Sequence, residues 1–395
     1  MGVNVDTFIS QIESLDIPTN EHERRRLGDA VSKLQERLEA SHDFIVGLVR
    51  GHVEMALIRV GVELGLFRHL ANQESQSQTV SSLANALGAS PSLLVRILRF
   101  LSSVGIIQET GPNLYCGNAM THVLASEAGE CLLIHAFDNT CPAIQSLPQF
   151  LVDNNYHDIT ESNNTPFQKA FNTDLPVFEW LAKSPRLFKA GQGAMQAFGS
   201  SDWMNGFNTV DDTVAFYLNT GYGEQETVRR PLFVDVGGGY GHQCTSLRDR
   251  YPTLAEKPGS IVLQDKPETL KDLKIAGVDI VPHDIFTEQP IKGAHIYYIR
   301  RVLHDWPDEL CTEILSYLAD AMASDSMIMI DEAVLPTTKV PWLAALMDIT
   351  MMASFASKVR SRDMWEEIAQ KVGLKVKNVH IYDENMALGV VVLVK

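Results

Sequence analysis

The sequence predicts an α/β protein in which a helical, winged-helix N-terminal region precedes a doubly wound, Rossmann-like sheet. Three patterns carry the prediction. An apolar strand runs into a glycine-rich turn over Phe233–His242, strands and helices alternate from about Leu232 to the end, and residues 78–125 read as helix, helix and two short strands. At 395 residues the chain exceeds one typical core, and about two domains are expected. The boundaries that follow are 1–125 for the helical arm and winged-helix dimerisation domain, 126–225 for a helical linker and pocket segment, and 226–395 for the sheet domain.

Taken in order, Asn20 can cap a helix in which Leu27, Val31, Leu34 and Leu38 recur at helical spacing, and a second amphipathic helix covers Phe44 to Leu64. Such helices either embrace a second copy, giving a homodimer, or pack on their own chain. The winged helix follows: Val80–Leu87, then Ser92–Val104 with Leu93, Leu94, Ile97, Leu98 and Leu101, then Gly105–Glu109 and Asn113–Cys116 around Gly111-Pro112. A DNA-reading version would carry several basic residues on its second helix, and here Arg96 and Arg99 stand nearly alone. With a net charge of −16, nucleic acid is excluded as a partner of the whole chain. Residues 126–225 are mostly helical and scattered with aromatics such as Phe137, Phe150, Phe167, Phe171 and Trp180, which are core or line a pocket for a flat apolar ligand. Ile296–Ile299, Met327–Ile330 and Val390–Leu393 read as strands.

No stretch approaches the roughly 18 apolar residues of a membrane span, so no membrane partner is expected. Met1–Asp6 shows no basic region followed by an apolar one, and five scattered cysteines form no CxxC pair or metal-like spacing. These features point to a cytoplasmic protein with reduced thiols and no metal.

The chemistry begins at Val234-Asp235-Val236-Gly237-Gly238-Gly239-Tyr240-Gly241. Glycines at 237, 239 and 241 let the backbone approach a ligand. Two acids follow at strand ends, Asp265 and Asp284. The order strand, glycine loop, strand–Asp, strand–Asp suggests S-adenosylmethionine more than a dinucleotide, one carboxylate taking the ribose hydroxyls and the other the adenine amine.

With these residues in view, the chain resembles the small-molecule O-methyltransferases of plant and fungal secondary metabolism, the caffeate and flavonoid type. The likeness runs through the arm, Leu94–Leu101, Thr165-Pro166-Phe167, the glycine loop, Asp265 with Pro267, Asp284 with Phe286, and Leu303-His304-Asp305-Trp306-Pro307-Asp308. It implies a class I methyltransferase domain and a cofactor site from Asp235, Gly237, Gly239, Asp265, Asp284 and Phe286. Arg300 falls where the family has a lysine near the cofactor. His304 stands at the family's general base, and Glu332 at the first of two glutamates that orient it. The second belongs in a segment that here reads Ser357-Lys358-Val359-Arg360-Ser361, with Val359 in its place.

Valine neither accepts a hydrogen bond nor carries charge, so proton transfer at His304 is expected to be weakened. The chain is also similar to a group of fungal O-methyltransferase-like pericyclases that keep the fold and the cofactor without methyl transfer. That resemblance rests on His135 in Cys131-Leu132-Leu133-Ile134-His135, on Arg300 and on Val359. It implies that His135 and Arg300 donate to an amide or pyridone oxygen of a polyketide–peptide intermediate. Arg301, next along the strand, is expected on the opposite face, at the surface or in a salt bridge. The favoured expectation is therefore a pericyclase. The alternatives are O-methylation of a phenolic or polyketide hydroxyl with His304 as base, and a catalytically silent partner or winged-helix regulator.

Overall fold

The computed structural model describes residues 4–38, 41–73, 76–197, 202–219 and 230–395, which fall into two compact units, Met1–Ala125 and Ser126–Lys395. Among these residues no helix is long and apolar enough to cross a membrane, and no cluster of His, Cys, Asp or Glu is arranged to hold a metal.

In the first unit, helices Val5–Glu13, Glu21–Leu38 and Ser41–Glu63 lead into a small core. Asn20 caps the second of them by accepting the Glu23 N–H at 3.1 Å. Phe8, Ile9, Ile12, Phe44, Ile45 and Val49 are exposed, a run of apolar surface that a lone soluble chain seldom leaves in water. Thr79 accepts the Ser82 N–H at 3.1 Å to start the helix Val80–Leu87, which a left-handed Gly88 closes. The next helix, Pro91–Ser103, buries Leu94, Ile97, Leu98 and Leu101 against Leu66, Phe67 and Tyr115. Leu93, one step off that stripe, is 52% exposed. Strands β1 (Gln78–Thr79), β2 (Gln108–Gly111) and β3 (Leu114–Cys116) form an antiparallel wing in the order β1-β3-β2.

The second unit holds the large sheet. Its strands are β4 (Phe233–Val236), β5 (Ile261–Asp265), β6 (Asp279–Pro282), β7 (Ile296–Arg300), β8 (Met327–Leu335), β9 (Arg360–Ser361), β10 (Lys375–Asp383) and β11 (Leu388–Val394). The order is β10-β11-β8-β7-β4-β5-β6, with β9 on β8; β4 to β9 are parallel, and the β10–β11 hairpin is antiparallel. From β4 the chain winds outward to β6, then returns to β7 on the other side. The carboxyl end of β4 is thus the switch point at which doubly wound sheets bind ligands.

Strand alternation supplies two cores. Val234, Val236, Tyr297 and Ile299 meet Cys311, Leu315 and Trp365 on one face, while Phe233, Leu263, Tyr298 and Met329 meet Trp203, Phe207 and Val214 on the other. The helical segment before the sheet keeps several of its aromatics for itself. Phe167, Phe171 and Trp180 contact one another at centroid distances of 4.2 to 5.4 Å and are core. Within it the helix Glu127–Ile134 passes into a π turn, His135–Thr140, before continuing as Cys141–Asp153.

Candidate cofactor and active site

β4 is buried along its whole length and ends in the glycine loop, where Gly237, Gly239 and Gly241 take φ of +72°, +57° and +75°. These are left-handed values that disfavour any side chain. Gly237 and Gly238 donate their N–H groups to the Gln264 carbonyl at 2.9 and 3.0 Å. Gly239 donates to Asp265 Oδ2 at 2.9 Å, and Lys266 to Oδ1 at 2.7 Å. Asp265 therefore holds the loop in shape as well as standing at a strand end. Gln264 and Gln289 exchange two 2.9 Å hydrogen bonds beneath it. Asp284 is exposed and accepts the Phe286 N–H at 3.1 Å, while Phe286 stands edge-on to Trp306 at 4.8 Å.

Asp235 is the buried acid of this group. Its Oδ2 accepts from Cys244 Sγ at 3.5 Å, its Oδ1 is buried with no hydrogen-bond partner among the described residues, and burial pushes its carboxyl up to about 7. An unmet acceptor beside a loop with open space at Gly239 fits the polar groups of S-adenosylmethionine. Gly238, absent from the residues singled out by sequence, is the tight point: a Cβ there would lie 2.4 Å from Asp235 Cγ and 2.6 Å from Leu263 Cδ1. Gly238→Ala is expected to weaken S-adenosylmethionine about tenfold or more, because Asp235 must move to admit the methyl group. Calorimetric titration checks this, and an unchanged Kd would remove Asp235 from the site.

At the end of β7, Arg300 is only 8% exposed and places Nη1 3.4 Å from Asp331 Oδ2. Asp331 also accepts from the Tyr298 hydroxyl and, at 2.6 Å, from Tyr382. This cation is part of a buried cluster that Asp331 collects. Arg301 departs from expectation. Its φ of +51° ends the strand's alternation, so the opposite-face argument fails, and it is half-buried with Nη2 sealed from water and without a hydrogen-bond partner. Burial and the neighbouring Arg300 lower its pKa.

The turn Leu303–Asp305 carries His304, which is 9% exposed. Its Nδ1 has no hydrogen-bond partner, and its Nε2 lies 3.5 Å from Asp305 Oδ1. Glu332 Oε1 accepts the backbone N–H of His304 at 3.0 Å. The carboxylate expected to orient the ring thus fastens the turn instead. Val359 is buried beside Ala333 and Leu388, and its backbone N–H donates to Asp348 Oδ1 at 2.8 Å. Burial first, then the Arg301 and Arg360 cations, push the imidazole down to about 3. Burial and Glu332 hold the Asp305 carboxyl well above the usual carboxylate range.

Arg360, one residue beyond Val359, is a residue to which the motifs assign no role. It is fully buried and donates Nε to Asp308 Oδ1 at 2.8 Å, Nη1 to the Leu303 carbonyl at 3.0 Å and Nη2 to the Trp306 carbonyl at 2.7 Å. Its guanidinium also lies 5.2 Å from the Trp365 ring centroid. The only sequence signal was an arginine directly beyond a buried valine.

His135 opens the π turn on a separate element, and Asn139 Nδ2 lies 3.0 Å from its Nδ1. Burial lowers its pKa, so the ring is neutral near pH 7. The helix Trp342–Phe355 packs against both Cys141–Asp153 and the His304 turn, which links the two segments.

Comparison with known proteins bears on this geometry. The O-methyltransferase domain model matches residues 158–375 and the O-methyltransferase dimerisation domain model matches 46–127. The demethylsterigmatocystin 6-O-methyltransferase of Aspergillus parasiticus is 35% identical over 97% of this chain and 96% of that protein. The O-methyltransferase lepI of Aspergillus flavus is 35% identical over 94% of each chain. The structure of LepI with SAM superposes with a TM-score of 0.86 at 33% identity, covering 99% of this chain and 97% of that one. A structure described as a pericyclic reaction enzyme gives 0.85 at 33% identity, covering 99% and 98%.

Proposed function

Because the chain belongs to the O-methyltransferase family, whose cofactor is S-adenosylmethionine, we propose that it is a pericyclase of that family. In this reading it acts as a homodimer on a reactive polyketide–peptide intermediate of the pyridone type. It holds the reacting ends together and polarises a carbonyl with aimed donors, without transferring the methyl group. Asp235, Gly237, Gly239, Asp265, Asp284 and Phe286 hold the cofactor, with Arg300 behind them. His135 donates to the substrate. When bound, the cofactor adds a fixed sulfonium charge to the pocket.

The observation that carries this reading is the state of His304. A general base needs a pKa near operating pH and a partner that fixes its tautomer. Burial and the nearby Arg301 and Arg360 push His304 down to about 3, a valine stands in place of one glutamate, and the other glutamate is bonded to the His304 backbone. O-methylation with His304 as base is the second reading, favoured by the intact Leu303–Asp308 motif and by the name of the sterigmatocystin relative.

Incubation of the full chain with methyl-labelled S-adenosylmethionine and candidate intermediates, followed by mass spectrometry, separates the two. The expected result is an isomerised or dehydrated product that needs the cofactor yet carries no label. Label in the product, with S-adenosylhomocysteine released, overturns the proposal in favour of methyl transfer.

A further inference from the structure

Resting on the donor role given to His135, we propose that Asn139 is a positioning residue that fixes His135 as an Nε2–H donor, so that the substrate atom meeting this ring is a carbonyl-type oxygen. The two side chains face each other across the π turn, Asn139 Nδ2 at 3.0 Å from His135 Nδ1. A carboxamide nitrogen only donates, so Nδ1 accepts, and the one proton of a neutral imidazole sits on Nε2. Asn139 is 3% exposed, which leaves water little access to compete for Nδ1.

A further observation points the same way. The backbone of the helix Pro185–Ala197 closes the Nδ1 edge: a Cβ on Gly191 would lie 3.5 Å from Nδ1 and 3.8 Å from Cε1. Nε2 is then the nitrogen available to a ligand. A ring held in this tautomer polarises an amide, pyridone or ketone oxygen, and it has no lone pair at Nε2 with which to take a hydroxyl proton. π turns are often found where a helix serves a site.

The test is solid-state nitrogen NMR on the full chain labelled only at histidine, with His135→Ala identifying the His135 signals among twelve histidines. The expected wild-type ring is neutral and protonated on Nε2. Asn139→Asp, whose carboxylate only accepts, should move the proton to Nδ1 and lower product formation about 10²-fold at pH 8. Rate should return as pH falls and the imidazolium regains its Nε2–H. Asn139→Ala should give a mixture of tautomers and a smaller loss. A wild-type ring protonated on Nδ1, or a proton that stays on Nε2 in Asn139→Asp, overturns the positioning role. An inverted ring with unchanged product formation instead overturns the donor role of His135, leaving the hydrogen-bond assignment intact.

Discussion

Product formation from a pyridone-type intermediate is expected to fall about 10²–10³-fold in His135→Ala and to stay within about threefold of wild type in His304→Ala. The first figure is what removal of one aimed donor costs an enzyme that stabilises developing charge. The second follows from basicity. An imidazole pushed to about 3 instead of 6.5 makes proton removal harder by on the order of 5 kcal/mol. His304 is then neutral throughout pH 5–8, and the rate profile over that range should contain no inflection that disappears in His304→Ala. Turnover at saturating cofactor, with folding of both variants checked by calorimetry, decides the matter. A hundredfold loss in His304→Ala with normal cofactor affinity would return this residue to the chemistry, and O-methyl transfer with it.

Arg360→Leu is expected to cost about 3–5 kcal/mol of stability. The leucine would take the Nε partner from Asp308, which keeps Lys358, would remove one donor each from the Leu303 and Trp306 carbonyls, and would remove the cation over Trp365. A hydrogen bond to a charged group contributes about 1.5–3 kcal/mol. Arg360→Lys should fall between the two, since one ammonium cannot serve three separated acceptors. Calorimetric unfolding of the full chain measures the loss. A transition within about 1 kcal/mol of wild type would mean that the His304 turn holds without this arginine. The same substitution carries an electrostatic readout. With one of its two nearby cations gone, His304 should titrate closer to its ordinary value.

Much of the frame was legible because it rests on short-range rules. The stripe Leu94, Ile97, Leu98 and Leu101 states a helix with one buried face, and a strand entering Gly237 states a sharp turn with room for a ligand. Asp265 and Asp284 follow as the residues at the carboxyl ends of the adjacent strands. What stayed hidden depends on partners far apart in the chain. Arg300 stands opposite Asp331 in the register of β7 on β8, and Arg360 reaches Asp308 across 52 residues. Periodicity reports which face is buried and says nothing of what lies across from it. Glu332 was assigned to the right neighbourhood and the wrong atom for the same reason: a motif fixes position but leaves open whether a carboxylate meets a ring or a backbone N–H. Arg301 was misplaced because strand alternation was extended one residue past the point where its left-handed φ ends it. Asn139, four residues after His135, was within reach of the helical neighbour rule.

The π turn at His135–Thr140 also has a meaning for the history of the chain. A π turn differs from an α turn by one added residue, the form a helix takes when it absorbs an insertion by bulging. Deleting Ala136 or Phe137 would close the bulge to an α turn and leave the helix beyond it in register. Asn139 would then stand three residues from His135 instead of four, which breaks the geometry of the pair while both ends of the helix keep their sequence. In aligned relatives, a one-residue gap at this point would therefore mark the absence of the His135–Asn139 pair more surely than the identity of either residue.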